Sequence, residues 1–167
     1  MIDAGQGFGT HPHKDMEILT YVLSGTVEHQ DSMGNKEQIQ AGEFQIMSAG
    51  TGVRHSEYNG NNDRPLHLYQ IWIIPDRVGL EPRYEQRGSL KVFQDMTLSR
   101  WALKQDEQAE CPIEAGRRVW IQVVRGKVVV NGQQAGTSDA FAVWDEAALS
   151  IHADEDSEIL LFDLPPV

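Results

Sequence analysis

Cysteine is nearly absent: Cys111 is the single one in 167 residues. One thiol cannot close an internal disulfide, which fits a reducing compartment, and no histidine stands near it in sequence to make it a nucleophile. Positive charge is scarce as well, with 14 Lys and Arg against 25 Asp and Glu, a formal net charge of −11. The basic residues are scattered, Arg117-Arg118 being the one adjacent pair. A surface for nucleic-acid phosphates needs clustered lysine and arginine, so no direct nucleic-acid partner is expected. Long apolar runs are missing too, and none approaches the length of a membrane span. The opening Met1-Ile2-Asp3-Ala4-Gly5 has neither a basic n-region nor an apolar h-region. No membrane partner and no secretory leader are therefore expected, and the location reads as cytoplasmic. Hydrophobic residues make up 40% of the chain, enough to build the core of one large domain or two small ones.

What is present centres on two short stretches, His11-Pro12-His13 and His55-Ser56-Glu57. Each holds two potential ligands at i and i+2. Side chains two apart on an extended strand point to the same face. Two such strands side by side would aim three imidazoles and one carboxylate at a single point. That donor set suits a divalent first-row metal such as iron, nickel, copper, manganese or zinc. One His-x-His pair occurs by chance; two ligand pairs on strand-like segments favour a metal site. Pro12 cannot donate to a ladder, so its strand should be an edge, bulged, or incompletely paired.

The flanking segments have the rhythm of short antiparallel strands joined by glycine turns. Residues 18–30 read as one long strand bent at Gly25, and 36–48 as its return. The run Leu66–Ile74 is nearly continuous apolar and reads as a central strand ended by Pro75. This sequence resembles the cupin superfamily, and the wording around the ligands resembles the pirin family within it. Gly5, five residues, His11-Pro12-His13 and then Glu17 follow the first cupin motif. Gly52, His55 and Asn59 follow the end of the second, although Gly25 stands one residue late and Gly50 replaces the usual proline. Most cupins draw their carboxylate from the position of Glu17, whereas pirins draw it from two residues beyond the last histidine. The run Gly7-Phe8-Gly9-Thr10-His11-Pro12-His13 and the His55-Ser56-Glu57 pattern follow the pirin wording. The resemblance thus implies His11, His13, His55 and Glu57 as ligands, with Glu17 in a structural role.

It further implies an all-β fold of two tandem cupin-type β-barrels, the first one shortened. The expected boundaries are a metal-binding lobe at 1–76, a linker at 77–90 and a degenerate lobe at 91–167. The second half reads as a worn copy of the first, because Val119–Val130 repeats the strand–glycine–strand pattern with Gly126 in the place of Gly25. That alignment puts Pro112 and Glu114 opposite His11 and His13, so the second lobe should hold no metal. His152 then reads as a relic of the repeat, with Asp154 opposite Glu57. His29 is expected to face solvent, His67 to be a hydrogen-bonded core residue, and Trp72, Trp101, Trp120 and Trp144 to lie in the core.

In function, the resemblance implies a metal-dependent dioxygenase that cleaves flavonols such as quercetin, with dioxygen as co-substrate and iron(II) as the metal. Nickel, copper, manganese and zinc remain open. The flavonol 3-hydroxyl would lose its proton and the heterocycle would be cleaved with release of carbon monoxide, Glu57 serving as both ligand and catalytic proton acceptor. The competing class is a non-catalytic, metal-dependent regulatory protein acting through a protein partner. Pirin-like chains usually carry a few dozen residues before the first His-x-His, and a longer joint where Arg87-Gly88 runs into Leu90. A barrel short of strands would expose an edge, and self-association through that edge is expected.

Overall fold

Alternation of apolar and polar residues, broken every few positions by glycine turns, produces an all-β chain, and the computed structural model describes residues 1–86 and 90–166. The expected short joint at Arg87-Gly88 lies outside these residues. In chain order the strands are β1 (Gly7–His13), β2 (Glu17–Ser24), β3 (Thr26–Asp31), β4 (Lys36–Gln40), β5 (Phe44–Ser48), β6 (Val53–Asn59), β7 (His67–Ile73) and β8 (Arg83–Glu85). They continue as β9 (Thr97–Leu103), β10 (Gln108–Pro112), β11 (Arg118–Arg125), β12 (Lys127–Val130), β13 (Gln133–Gly136), β14 (Ala140–Val143), β15 (Ala148–Ala153) and β16 (Ser157–Leu164). No helix occurs among the described residues. The chain divides into two compact units, Met1–Gln94 and Asp95–Val167. Within 77–90, the stretch read as a linker, β8 pairs with β5.

The first unit consists of the sheets β1-β6-β3-β4 and β7-β2-β5-β8, the second of β10-β15-β12-β13 and β14-β11-β16-β9. Each unit is a cupin-type double sheet; β10–β16 repeat the order of β1–β7, while β8 adds beside β5 in the first unit and β9 beside β16 in the second. Gly25 is the corner at which the chain leaves β2 for the other sheet, and Gly126 is its counterpart between β11 and β12. Both sit at positive φ, 87° and 88°, where a side chain is strained. Both follow a register shift at the same place, Val22/Ser24 in one unit and Val123/Arg125 in the other.

The interiors differ in kind. In the second unit Val119, Ile121, Val128, Val130, Leu149, Ile151 and their neighbours form one apolar cluster. In the first, Val22, Val27, Ile39 and Leu66 pack together, and Ile18 packs with Met47 and Val53. Thr20 lies between Ile18 and Val22 on the same face of β2. With it, Gln45, His29, His55 and Glu57 are buried as a polar layer.

Strand pairing corrects several expectations. Among the described strands β7 is an edge of its sheet rather than a central strand. Trp72, Trp120 and Trp144 are exposed, at 55%, 42% and 60%: Val119 and Ile121 take the inward parity beside Trp120, while Trp72 faces inward on an edge strand that leaves its ring uncovered. His67 and Trp101 are half-buried. His29 is buried, sharing the inward parity of Val27 and Asp31 on β3, while Glu28 and Gln30 face out. The repeat also aligns differently. Val128 pairs with Ala153 as Val27 pairs with Asn59, which sets Leu149 and Ile151 in the places of His55 and Glu57. Cys111 pairs with Leu149 as His11 pairs with His55, so Cys111 and Ile113, not Pro112 and Glu114, stand in for the two histidines. The loop into the next strand is one residue longer in the second half, from Ile113 to Arg118 against His13 to Glu17, and this shifts the match.

Candidate metal centre

β1 reaches the site through a bulge. Phe8 pairs with Glu57 and His11 with His55, so three steps on β1 match two on β6. Unbroken register would have set Thr10 opposite His55 and turned both histidines away. The extra residue puts His11 and His13 on the inward face, and Pro12 lies on an edge strand where its missing N–H costs no interior ladder bond. Close approach of β1 to β6 requires Gly7: a Cβ there would lie 2.3 Å from the Glu57 carbonyl oxygen. On β6, the buried positions Val53, His55, Glu57 and Asn59 alternate with Arg54, Ser56 and Tyr58.

The three imidazoles converge. Ring centroids are 4.8 Å apart for His11 and His13, 4.5 Å for His11 and His55, and 5.0 Å for His13 and His55. His11 Nδ1 donates to the Gly9 carbonyl at 2.8 Å. That carbonyl only accepts, so His11 Nε2 is left with its lone pair, facing His55 Nε2 at 3.0 Å. Burial, with His11 next, pushes the His55 imidazolium down to about 3. The same causes lower His13. Imidazole nitrogens that converge this closely fit a first-row divalent cation, each ring offering it a lone pair when neutral.

Glu57 enters from the same strand, 1% exposed. Its ligand atom groups within 4.8 Å with those of His55 and His29, while His11, His13 and His55 form a second such group; His55 belongs to both. Gln45 Nε2 donates to Glu57 Oε1 at 2.7 Å, and Thr20 Oγ1 donates to the same oxygen at 3.4 Å. Gln70 Nε2 donates to Oε2 at 2.6 Å. Burial raises the carboxyl's pKa, opposed by these hydrogen bonds and by His11. Beside His55, His29 Nε2 meets Asp31 Oδ2 at 3.1 Å and its ring stacks on Tyr84. Trp72 stands edge-on to His13, centroids 5.2 Å apart.

Glu17, the other carboxylate with the right sequence spacing, is not brought to this cluster. Asp15, at φ 49°, turns the chain before β2, so the parity of β1 does not carry through. Glu17 instead accepts from Ser48 Oγ at 2.5 Å, Phe93 N–H at 2.6 Å and Arg83 at 3.4 Å. The sequence reading missed Thr20, Gln45, Gln70, Tyr84 and His29. For the first three a signal existed: each is a polar residue inside an otherwise apolar strand. Among the described residues, both groups able to hold a metal lie in the first unit.

A pirin family model matches residues 1–73, and the model of a quercetinase C-terminal cupin domain matches residues 82–164. A quercetin 2,3-dioxygenase of Escherichia coli (strain K12) is 67% identical over the whole chain, which covers 80% of that protein. A pirin-like protein of Caulobacter vibrioides is 34% identical over 94% of this chain and 77% of its own length. The crystal structure of the bacterial pirin YhhW from Escherichia coli in complex with nickel(II) superposes with a TM-score of 0.96 at 67% identity, covering 99% of this chain and 80% of that one.

Proposed function

The chain belongs to the pirin family, and on that premise we propose that it is a metal-dependent dioxygenase of flavonols such as quercetin. In this reading His11, His13, His55 and Glu57 hold one divalent transition metal, iron(II) first among the candidates. The observation that carries it is the convergence of the His11 and His55 Nε2 atoms, 3.0 Å apart, beside His13 and the buried Glu57 carboxylate. A bound metal supplies Lewis acidity toward a chelating hydroxy-ketone and a route to dioxygen chemistry.

The protein's own groups do the rest. Glu57 takes the proton of the flavonol 3-hydroxyl. Burial makes it a stronger base than an exposed carboxylate. Its Oε2 receives one hydrogen bond where Oε1 receives two, so Oε2 is the oxygen with more capacity left for the proton. The exposed Trp72, beside His13, offers an apolar wall for the aromatic rings of the substrate. The name of the Escherichia coli relative supports the substrate class.

The experiment is turnover of quercetin by protein purified without chelators. Expected are dioxygen uptake and carbon monoxide release in equal amounts, both abolished by His13→Ala. Metal-replete protein that neither consumes dioxygen nor releases carbon monoxide with quercetin would reject the enzymatic reading in favour of the regulatory one.

A further inference from the structure

The polar layer of the first unit is a register-matched row. Gln70 on β7 pairs with Thr20 on β2, and Thr20 pairs with Gln45 on β5. All three donate to Glu57 from the opposite sheet. The next row runs Trp72, Ile18, Met47, Tyr84, again in direct register across β7, β2, β5 and β8. Its two ends are aromatic residues with a polar hydrogen, and each reaches back to the glutamine beside it. Trp72 Nε1 donates to Gln70 Oε1 at 3.0 Å. Tyr84 Oη donates to Gln45 Oε1 at 2.8 Å.

A glutamine side chain can present either its NH2 or its oxygen to a neighbour, and the two faces differ in sign. An indole N–H can only donate, so it selects the oxygen of Gln70 and turns the NH2 toward Glu57. For Gln45 the acceptor-only carboxylate of Glu57 takes the NH2, and the Tyr84 hydroxyl, able to donate or accept, completes that orientation by donating to the oxygen. Each carboxylate oxygen of Glu57 thereby meets an N–H donor on a side chain that cannot turn over without losing a bond. Were either amide reversed, a carbonyl oxygen would face a buried carboxylate, which is repulsive and costly at low dielectric.

We infer that Gln45 and Gln70, oriented by Tyr84 and Trp72, form an amide clamp that fixes the plane of the Glu57 carboxylate for metal binding, making Tyr84 and Trp72 positioning residues for this centre. The inference rests on Glu57 as a ligand. Outer partners of this kind commonly change metal affinity by ten- to a hundredfold. Tyr84 suits the test because Tyr84→Phe removes a single oxygen and keeps the ring stacked on His29.

The test uses cobalt(II) as probe, with affinity measured by chelator competition, the visible ligand-field spectrum recorded, and thermal unfolding of the metal-free protein followed in parallel. Tyr84→Phe and Trp72→Phe should each weaken cobalt(II) binding by about tenfold and shift the spectrum, with little change in unfolding. In a Gln45→Leu background, Tyr84→Phe should add no further loss, and Trp72→Phe should add none in Gln70→Leu, since each aromatic acts through its amide. Unchanged affinity in both aromatic variants, or losses that add fully in the double variants, would overturn the clamp. If Glu57→Gln also leaves cobalt(II) affinity intact, the ligand assignment falls and the clamp falls with it. If Glu57→Gln abolishes tight binding while the aromatic variants do not, the clamp alone fails.

Discussion

His55 concentrates the electrostatics of the site: it is 1% exposed and lies against His11, His13 and His29. Its pKa of about 3, depressed first by burial, has a consequence for folding of the metal-free protein. The unfolded chain binds the proton near pH 6.5 and the folded chain does not, so acid favours unfolding. Stability should fall as pH drops below about 6.5, by on the order of 1 kcal/mol per pH unit from this group alone. His29 and His13, also lowered by burial, act in the same direction. Glu57, raised by burial, acts in the opposite one and offsets part of the loss. Thermal unfolding of metal-free protein between pH 7 and pH 5 checks this: the midpoint should decline, and His55→Gln should flatten the decline. A midpoint independent of pH would contradict it.

At the scale of elements, the bulge in β1 and the close β1–β6 contact at Gly7 set His11 and His13 beside His55. Gly7→Ala would set its Cβ 2.6 Å from the Tyr58 Cα and closer still to the Glu57 carbonyl, both backbone groups that cannot move aside cheaply. The strand must shift, which should cost about 1–3 kcal/mol in denaturant unfolding and lower the metal content, with unaltered metal content counting against the bulge as the device that aims His11 and His13. The convergence of the two residue pairs was legible in sequence because i and i+2 parity is local: His11 with His13, and His55 with Glu57, needed only the assumption of strands. The same parity, applied to Val27 and His29, would have placed His29 inside. Parity alone left Glu17 level with His11 and His13, and the pirin resemblance set it aside; the positive-φ turn at Asp15 is what resets the parity, and a single aspartate carries no clear sign of that. The row of Gln70, Thr20 and Gln45 depends on pairing among three strands distant in sequence. No local pattern reports such pairing, although an isolated polar residue in each apolar strand hinted at burial with a partner.

Across the whole molecule, two units of one topology differ in what fills the same positions. His11, His13, His55, Glu57 and His29 in the first correspond to Cys111, Ile113, Leu149, Ile151 and Val130 in the second. The second set joins a continuous apolar cluster, with Cys111 and Ile113 packed against its edge. Such a pocket offers a cation one thiol at most, against a large desolvation penalty. The tandem repeat was readable from the Gly25 and Gly126 patterns, but the residue-level match was not, because the loop after β10 gained one residue. The most direct measurement of the account is elemental analysis of the protein loaded with iron(II), nickel(II) or cobalt(II) and freed of excess metal. One equivalent per chain is predicted, lost in His55→Ala and retained in His152→Ala. Two equivalents per chain, or a His55→Ala protein that keeps its metal, would contradict it.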